Sequence, residues 1–244
     1  MSTENKTLLH CESLCFGYEG KSLAAPCSFD LRAGRIFALM GENGCGKSTL
    51  LKTLAGFIPS LGGVVTLGET PLKDWSARER AKKIALVRMS LIAPDRMTVR
   101  EFVSLGRSPY SGFFDDRTAE DEKIVDESMS LLDVKSFADR PVVELSDGER
   151  SRVYLAEAVA QQVQILLLDE PNAFLDIPRS HALFRLLRKL AQIRKIGIVV
   201  STHSVEYAGK YCDRIMVIRN GNVQVAPARE ARAQGLLDWT VPEA

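Results

Sequence analysis

Short apolar runs alternate with amphipathic segments along the chain. The run IFALM at 36–40 contains no polar residue, which is typical of a strand buried on both faces of a parallel sheet, and the helically spaced segment KSTLLKTLAGF follows at 47–57. Further apolar runs occur at 84–87, 164–170 and 196–203, with a helical pattern between the last two. Buried strands that alternate with helices predict a mainly parallel α/β sheet.

Two other parts of the chain depart from this alternation. Over about 98–160 the pattern is helical, and it includes the acidic segment TAEDEKIVDESMSLLDV, which we interpret as a solvated helix face. The runs at 8–16, 27–40 and 64–67 indicate further strands, and the alternation around Asn220-Gly221 is a strong hairpin signal. The sequence therefore predicts a helical insertion in the sheet and antiparallel strands that flank it.

Composition limits the classes of function. The chain has 244 residues, of which 45% are hydrophobic and 26% charged, as in ordinary soluble globular proteins. A net charge of +1 creates no field that favours nucleic acid as a partner. No uncharged apolar run approaches the ~20 residues of a membrane span, and the N-terminal residues lack the pattern of a signal peptide. We expect a cytosolic protein that binds no nucleic acid and does not itself cross a membrane.

The cysteines predict a reduced protein. There are five, an odd number, and none has the spacing of a disulfide framework or a metal site. Reduced, mostly buried thiols are expected for four of them. Cys45 differs because backbone amides and the nearby Lys47 should favour its thiolate.

The segment GENGCGKST at 41–49 matches the phosphate-binding pattern G-x-x-x-x-G-K-[ST] and stands between a predicted strand and a predicted helix. Its glycines let successive backbone amides face inward as an anion nest, and the helix N-terminus adds partial positive charge. Lys47 should reach the β- and γ-phosphates, Ser48 should hold Mg²⁺ and Thr49 should contact phosphate. The candidate nucleotide-binding residues of this loop are Gly41, Glu42, Asn43, Gly44, Cys45, Gly46, Lys47, Ser48 and Thr49.

Two carboxylates end the apolar run QILLLDE. Asp169 and Glu170 should emerge at the carboxyl end of this strand, where open α/β sheets bind ligands. Asp169 is placed to contact Mg²⁺ through water, and Glu170 to polarise the attacking water. The carboxylates could instead cap a helix, but their combination with the phosphate loop favours the first interpretation.

The stretch LSDGERSRVYLAEAVA at 145–160 has two interpretations. Ser146 and Asp147 suit a helix start, because their side-chain oxygens accept hydrogen bonds from the first free amides. Gly148 and the small Ser146 would also leave those amides open to an anion. Taken alone, the stretch favours a simple helix cap, with an anion site as the open alternative.

The order of these motifs resembles the ATP-binding cassette (ABC) ATPase family: the glycine-rich loop, then LSDGE, LLLDE, DEPNAFLD and a histidine after a strand. The resemblance covers nearly the whole chain. It implies a P-loop NTPase core with a mainly parallel sheet, an antiparallel β subdomain and an inserted helical subdomain. In a single ABC ATPase domain over 1–244, residues 1–88 and 161–244 would form the core with the antiparallel elements, and 89–160 the helical subdomain.

The resemblance also implies a function for the stretch that begins at residue 145. In the family the segment matched by Leu145–Glu149, called the signature, binds the γ-phosphate of ATP held by a second subunit. The signature candidates, which would act on the partner's nucleotide, are Ser146, Asp147, Gly148 and Glu149.

Single residues elsewhere match other family positions. Tyr18 matches the aromatic residue that stacks on adenine, and Asp176 the acidic residue of a loop that crosses the dimer interface. His203 matches the switch histidine that contacts the γ-phosphate and helps to position water. With Glu170 and Lys47 it completes the candidate catalytic set, while Ser48 and Asp169 are the candidate metal ligands. His10 and His181 lie in no motif and are expected to be surface or core residues.

Three positions depart from the family pattern. Asp147 stands where glycine is usual, which adds negative charge near a triphosphate, and Glu149 stands where glutamine is usual. Met89 occupies the coupling-loop position of a glutamine that reaches Mg²⁺ and the attacking water. A thioether is a poor ligand for a hard cation, so hydrolysis is expected to be slow or to use Ser90 or water instead.

The segment TVREFVSLGRSPY, with DRPVVELS before the signature, resembles cassettes of the iron–siderophore, haem and cobalamin importer group. This resemblance implies a subunit that uses ATP and Mg²⁺ and forms an ATP-sandwich homodimer under separate integral-membrane permease subunits. A substrate-binding protein would act with it indirectly. The subunit would lie peripherally at the cytoplasmic face of the inner or plasma membrane.

Two alternatives belong to other functional classes. A DNA-associated ABC ATPase carries long coiled coils between the phosphate loop and the signature, whereas here about a hundred residues without sustained heptads separate Lys47 from Ser146. An ATP-gated dimerising scaffold with weak hydrolysis is the other alternative, and Met89 is the reason to consider it.

Overall fold

The computed structural model describes residues 6–88, 96–112 and 117–237. Its strands are β1 (Thr7–Cys15), β2 (Gly17–Tyr18), β3 (Lys21–Ser22), β4 (Cys27–Arg32), β5 (Ile36–Gly41), β6 (Gly62–Leu67), β7 (Thr70–Pro71), β8 (Ile84–Arg88), β9 (Ile165–Asp169), β10 (Gly197–Ser201), β11 (Arg214–Arg219) and β12 (Asn222–Pro227). Its helices are α1 (Lys47–Leu54), α2 (Ala77–Ala81), α3 (Val99–Ser104), α4 (Ala119–Leu131), α5 (Asp147–Ala160), α6 (Ile177–Arg194), α7 (Val205–Tyr211) and α8 (Ala228–Ala231).

The central sheet orders its strands β12-β11-β5-β10-β9-β8. Neighbours from β11 to β8 run parallel, and β12 returns antiparallel to β11. Every residue of β5 and β10 is buried, as a strand covered on both faces requires. The hairpin turn uses Asn220 and Gly221 with positive φ, the conformation that such short turns favour. The predicted parallel α/β sheet and the hairpin are confirmed.

A separate antiparallel sheet orders its strands β4-β1-β6-β7. The run predicted as strand over 27–40 is divided into β4 and β5 by a turn in which Gly34 has a φ of +73°. Side chains from both sheets and from α1 form one buried cluster that includes Leu31, Phe37 and Leu50. This cluster anchors α1, and with it the loop that precedes α1.

Helix α5 packs against the other face of the central sheet at β8, and α3 and α4 pack against α5. Their apolar side chains share one buried cluster with the sheet, which includes Val103, Met129, Leu155 and Leu166. The predicted fold class, a mainly parallel core with an antiparallel sheet and a helical insertion, is therefore confirmed. The division of the chain into 1–88 with 161–244 and 89–160 stays a prediction.

A buried arginine joins α4 to the C-terminal end of α5. The side chain of Arg107 is only 5% exposed, and its Nε lies 2.8 Å from Oδ1 of Asp121. Its Nη1 donates to the carbonyl oxygen of Ala160 at 2.7 Å, and the guanidinium lies 3.9 Å from the ring centre of Tyr110. Since Ala160 is the last residue of α5, this contact fixes the end of α5 opposite to Ser146.

We expect Asp121→Ala to lower the free energy of unfolding by about 3 kcal/mol, because it leaves the Arg107 cation buried without its carboxylate. Equilibrium unfolding in urea measures the loss. Glu127→Ala is the matched control on α4, since the Glu127 side chain is 55% exposed and reaches Lys123 only at 4.0 Å. The control should lose less than about 0.5 kcal/mol. Equal losses in the two variants would contradict the importance of the buried pair.

Because of the Arg107–Asp121 pair, the stability lost in Asp121→Ala should depend on pH. Hydrogen bonds from the backbone and hydroxyl of Thr118, and then from Arg107, lower the pKa of Asp121 to about 2. A carboxyl whose pKa is lower in the folded than in the unfolded state stabilises the fold above its unfolded pKa, which is about 4, and loses this effect as the pH falls through its folded pKa. The difference in stability between the wild type and Asp121→Ala should therefore shrink between about pH 4 and about pH 2.

Candidate functional site

The predicted phosphate loop connects the buried strand β5 to α1. Gly41 has a φ of +149°, and a Cβ atom there would lie 2.5 Å from the carbonyl oxygen of Ile218. Gly46 has a φ of +107° and packs against Phe16 and Leu23, so that a Cβ atom would approach both to about 3 Å. Glycine is thus required at both ends of the loop by conformation and by space.

The Lys47 ammonium and the start of α1 place positive charge inside this loop. Lys47 begins α1 and is only 6% exposed, and its ammonium donates to the carbonyl oxygens of Gly41 and Glu42 at 3.0 Å each. Among the described residues no side chain caps the start of α1, so its first amides and its dipole face the same concavity as the ammonium. Ser48 is exposed beside it, whereas Thr49 is buried. The arrangement suits a polyanion such as a triphosphate.

Cys45 does not have the environment that the sequence predicts. Its half-buried thiol lies beside Gly41, and a Cβ atom at position 41 would be 2.6 Å from Sγ. Burial raises the pKa of the thiol, and the attraction of Lys47 and the backbone hydrogen bonds only partly oppose this effect. The prediction of a favoured thiolate is therefore wrong, because desolvation outweighs the local positive charge.

A hydroxyl from the neighbouring strand β10 holds the Asp169 carboxylate and the Glu170 backbone. Asp169 is the last residue of β9, and its Oδ1 accepts a hydrogen bond from Oγ of Ser201 at 3.0 Å. The same Oγ accepts the backbone N–H of Glu170 at 2.7 Å. Glu170 has a φ of +50°, a left-handed conformation that is uncommon outside glycine, and this hydrogen bond supports it.

Sequence reasoning missed Ser201. It is fully buried at the end of β10, in the run IGIVVS, where it reads as the last position of an apolar strand. Its position could have indicated this role, because a small hydroxyl side chain stands at the carboxyl end of the strand that neighbours the LLLDE strand. Such a residue can orient the Asp169 carboxylate and fix the Glu170 backbone while it stays out of solvent.

Three residues predicted as catalytic converge at this edge of the sheet. Nε2 of His203 lies 2.9 Å from Oε1 of Glu170, and Nζ of Lys47 lies 4.0 Å from the same oxygen. The side chains of Glu170 and His203 are partly exposed, at 40% and 47%. A solvent-accessible carboxylate fixed by an imidazole and close to a cation can act as a general base toward water.

Tyr18 lies on the short hairpin of β2 and β3, and its side chain is 46% exposed. Two residues before it, Phe16 is fully buried and packs against Gly46, so the hairpin is attached next to the phosphate loop. An exposed aromatic ring in this position fits a base-stacking role, which stays a prediction.

The predicted signature begins α5 with a complete capping box. Oγ of Ser146 lies 2.7 Å from Oε2 of Glu149, and the Ser146 backbone N–H donates to the same oxygen at 2.9 Å. The Glu149 N–H in turn donates to Oγ of Ser146. Asp147 forms an ion pair with Arg150, one turn along the helix. The helix-cap interpretation is confirmed, and the anion site stays a prediction.

The signature lies against the start of α6. Asp176 caps α6 by accepting the N–H of Arg179 at 2.8 Å, and the Arg179 side chain lies against Gly148. In the described ranges, no hydrogen bond or ion pair connects the signature to Lys47 or Glu170. The sequence motifs thus form two groups on one chain.

Four further residues singled out in the sequence lie outside the two groups of motifs. Met89 and Ser90 lie outside the described residues. His10 is an exposed partner of Asp30 at 2.7 Å, and His181 packs edge-on to an aromatic side chain, as expected for residues without a motif.

Comparisons with known proteins agree with the geometry. The family model described as ABC transporter matches residues 24–173. The hemin import ATP-binding protein HmuV of Streptomyces coelicolor is 43% identical over 209 residues, covering 85% of this chain and 74% of the relative. The ferric enterobactin transport ATP-binding protein FepC of Escherichia coli is 32% identical over 234 residues, covering 95% of this chain and 86% of the relative. The structure of cbiO1 from Clostridium perfringens, part of the ABC transporter complex cbiONQ, has a TM-score of 0.82 at 26% identity and covers 94% of this chain and 92% of that one.

The raised pKa of Cys45 predicts slow alkylation near neutral pH. Because the thiolate is the nucleophile, iodoacetamide should modify Cys45 more slowly in the folded protein than in urea, and the folded rate should still be rising above about pH 9. Peptide mapping by mass spectrometry measures the rate at this one cysteine. A rate in the folded protein that reaches its maximum by about pH 7 would contradict the raised pKa.

Proposed function

The chain belongs to the ABC transporter ATP-binding family, in its iron-chelate and haem importer branch, and on that premise we propose that it powers import of an iron–siderophore, haem or cobalamin-type substrate. The protein is an ATPase. The convergence of Lys47, Glu170 and His203 at the phosphate loop is the observation that supports ATP hydrolysis as the source of power. Relatives named for hemin and ferric enterobactin support the substrate class.

We assign the residues at the phosphate loop to binding and hydrolysis of ATP. Lys47 binds the β- and γ-phosphates, because its ammonium already shares a concavity with the α1 amides. Glu170 accepts a proton from the attacking water through Oε2, since Oε1 faces His203 and Lys47. His203 orients that carboxylate and lies on the side where the γ-phosphate would bind. Tyr18 stacks on adenine.

The oxygen atoms near Lys47 fit Mg²⁺, which prefers oxygen ligands and usually retains several waters. Ser48 offers an exposed hydroxyl in the first turn of α1. Asp169 uses Oδ1 to accept from Ser201, which leaves Oδ2 for the ion or for a water bound to it. When bound, Mg²⁺ would neutralise charge on the β- and γ-phosphates. Ser48 and Asp169 are the residues that would hold it.

We propose that ATP hydrolysis requires two copies of the chain. In the described ranges the signature residues form no hydrogen bond or ion pair with the phosphate loop, and we assign them to the nucleotide held by a second copy. Ser146 and Gly148 then bind the partner's γ-phosphate. In the free chain the Ser146 hydroxyl donates to Glu149, so ATP must compete with the capping box for this proton.

The transport partners are proposed to be separate chains. None of the helices in the described ranges has the length and hydrophobicity of a membrane span. We infer integral-membrane permease subunits, with a substrate-binding protein acting indirectly, and a peripheral position at the cytoplasmic face of the membrane. Met89 is assigned to the loop that signals to the permease; it follows β8, whose last residue Arg88 pairs with Asp169.

Copurification with the permease tests the importer function. We expect ATP turnover by the assembled transporter to rise several-fold when the cognate binding protein is loaded with an iron–siderophore chelate, haem or cobalamin. The Glu170→Gln transporter is the control and should show no such rise. Turnover that is the same with and without permease, for every one of these substrates, would favour a scaffold or non-transport ATPase.

We expect Glu170→Gln to bind ATP normally but to hydrolyse it at less than about one hundredth of the normal rate, because the general base is lost. A dimer with two bound nucleotides should accumulate, at twice the 27.0 kDa of one chain. Light scattering after gel filtration with ATP and Mg²⁺ measures this mass. Addition of Lys47→Ala to Glu170→Gln should abolish the dimer. A Glu170→Gln protein that stays monomeric at saturating ATP would refute the shared site.

A further inference from the structure

The start of α5 carries more negative charge than an anion site favours. Asp147 and Glu149 place two carboxylates in the first turn of the helix. Hydrogen bonds from Ser146 lower the pKa of Glu149, so it is ionised at neutral pH, and Asp147 is paired with Arg150. A γ-phosphate that approaches Ser146 and Gly148 would meet this charge. An additional cation at this point would offset it.

Arg179 lies beside Gly148, where a cation would offset this charge. It is in the first turn of α6, and its side chain runs along the surface of Gly148: a Cβ atom at position 148 would be 3.1 Å from Cδ, 3.4 Å from Nε and 3.9 Å from Cζ of Arg179. The absence of a side chain at Gly148 therefore lets the guanidinium rest beside the signature backbone. The Arg179 side chain is 57% exposed, so its charged end also reaches solvent.

Arg179 has weaker polar contacts than Arg150 and Arg152, which also lie near the signature. Arg150 is paired with Asp147, and Arg152 lies 2.9 Å from Asp133. The closest carboxylate oxygen to Arg179 is Oδ2 of Asp176 at 3.8 Å, which is too long for a hydrogen bond. In the part of the chain that the structure describes, the Arg179 guanidinium donates no hydrogen bond.

The space around Arg179 allows it to reorient. A cleft of about 320 Å³ lies between the starts of α5 and α6 and is lined by Ser146, Gly148, Arg152, Leu175 and Arg179, among others. One wall of this cleft is the capping box of α5, and the other is the start of α6, which Asp176 caps.

We propose that Arg179 binds the γ-phosphate of the ATP held by a second copy, together with Ser146 and Gly148 of its own chain. This role rests on the proposed shared-site dimer. The planar guanidinium can donate two parallel hydrogen bonds to phosphate oxygens, which the loop lysine of the other copy, a point charge, cannot do. Arg179 thereby compensates for the carboxylates of Asp147 and Glu149 and makes dimerisation depend on the γ-phosphate.

The test uses Glu170→Gln as the parent protein, with Arg179→Gln added. We expect the ATP concentration that gives half-maximal dimer to rise about tenfold, as loss of one charge-assisted contact would cause. Gel filtration with light scattering across an ATP titration measures it. Arg185→Gln, which removes the same charge from an exposed position of α6, is the matched control and should leave the titration unchanged. Arg179→Lys should fall between parent and Arg179→Gln.

ATP binding to monomers separates this role from a structural one. At protein concentrations too low for dimers, Arg179→Gln and its parent should bind a fluorescent ATP analogue equally, because Arg179 is not at the phosphate loop of its own chain. Equal weakening of monomer binding and dimerisation would overturn the proposal, as would a titration that matches Arg185→Gln. A parent that stays monomeric would refute the shared-site dimer itself, and the role of Arg179 with it.

Discussion

The buried ammonium of Lys47 is the constraint on which the candidate site depends. A buried cation is costly unless it is hydrogen-bonded and paired with an opposite charge. Here two loop carbonyls accept hydrogen bonds from the ammonium, and the Glu170 carboxylate lies 4.0 Å away. Gly41 and Gly46 adopt positive φ angles in this loop, at positions where a Cβ atom would crowd neighbouring residues. The same ammonium lies 4.0 Å from Glu170, and so links the motifs at the ends of β5 and β9 into one site.

The sequence predicts the elements of this site well, because each depends on local information. Strand β5 is an uninterrupted apolar run, the loop is a contiguous motif, and Asp169 and Glu170 end an apolar strand. Since parallel strands end at one edge of the sheet, their polar ends must meet there. The helix cap at Ser146 is also local, with both members of the box within four residues.

What the sequence does not predict depends on packing between distant segments. Ser201 orients Asp169 and Glu170 from another strand, and nothing in its own segment indicates this partner. The pairing of Arg107 with Asp121 and Ala160 joins three separate segments. For Cys45 the charges were visible in the sequence but the desolvation was not, because the burial comes from how the loop folds against its neighbours.

The electrostatics of α5 explain why its signature can depart from the family pattern. Asp147 and Glu149 at its N-terminus and Arg107 at the carbonyl of Ala160 each place a charge where the helix dipole favours it. These charges stabilise the free helix, and they also make its N-terminus a weaker site for an anion. Stability of the helix and affinity for the γ-phosphate are therefore opposed at this position. A cation from another helix, such as Arg179, can restore the affinity without removing the cap.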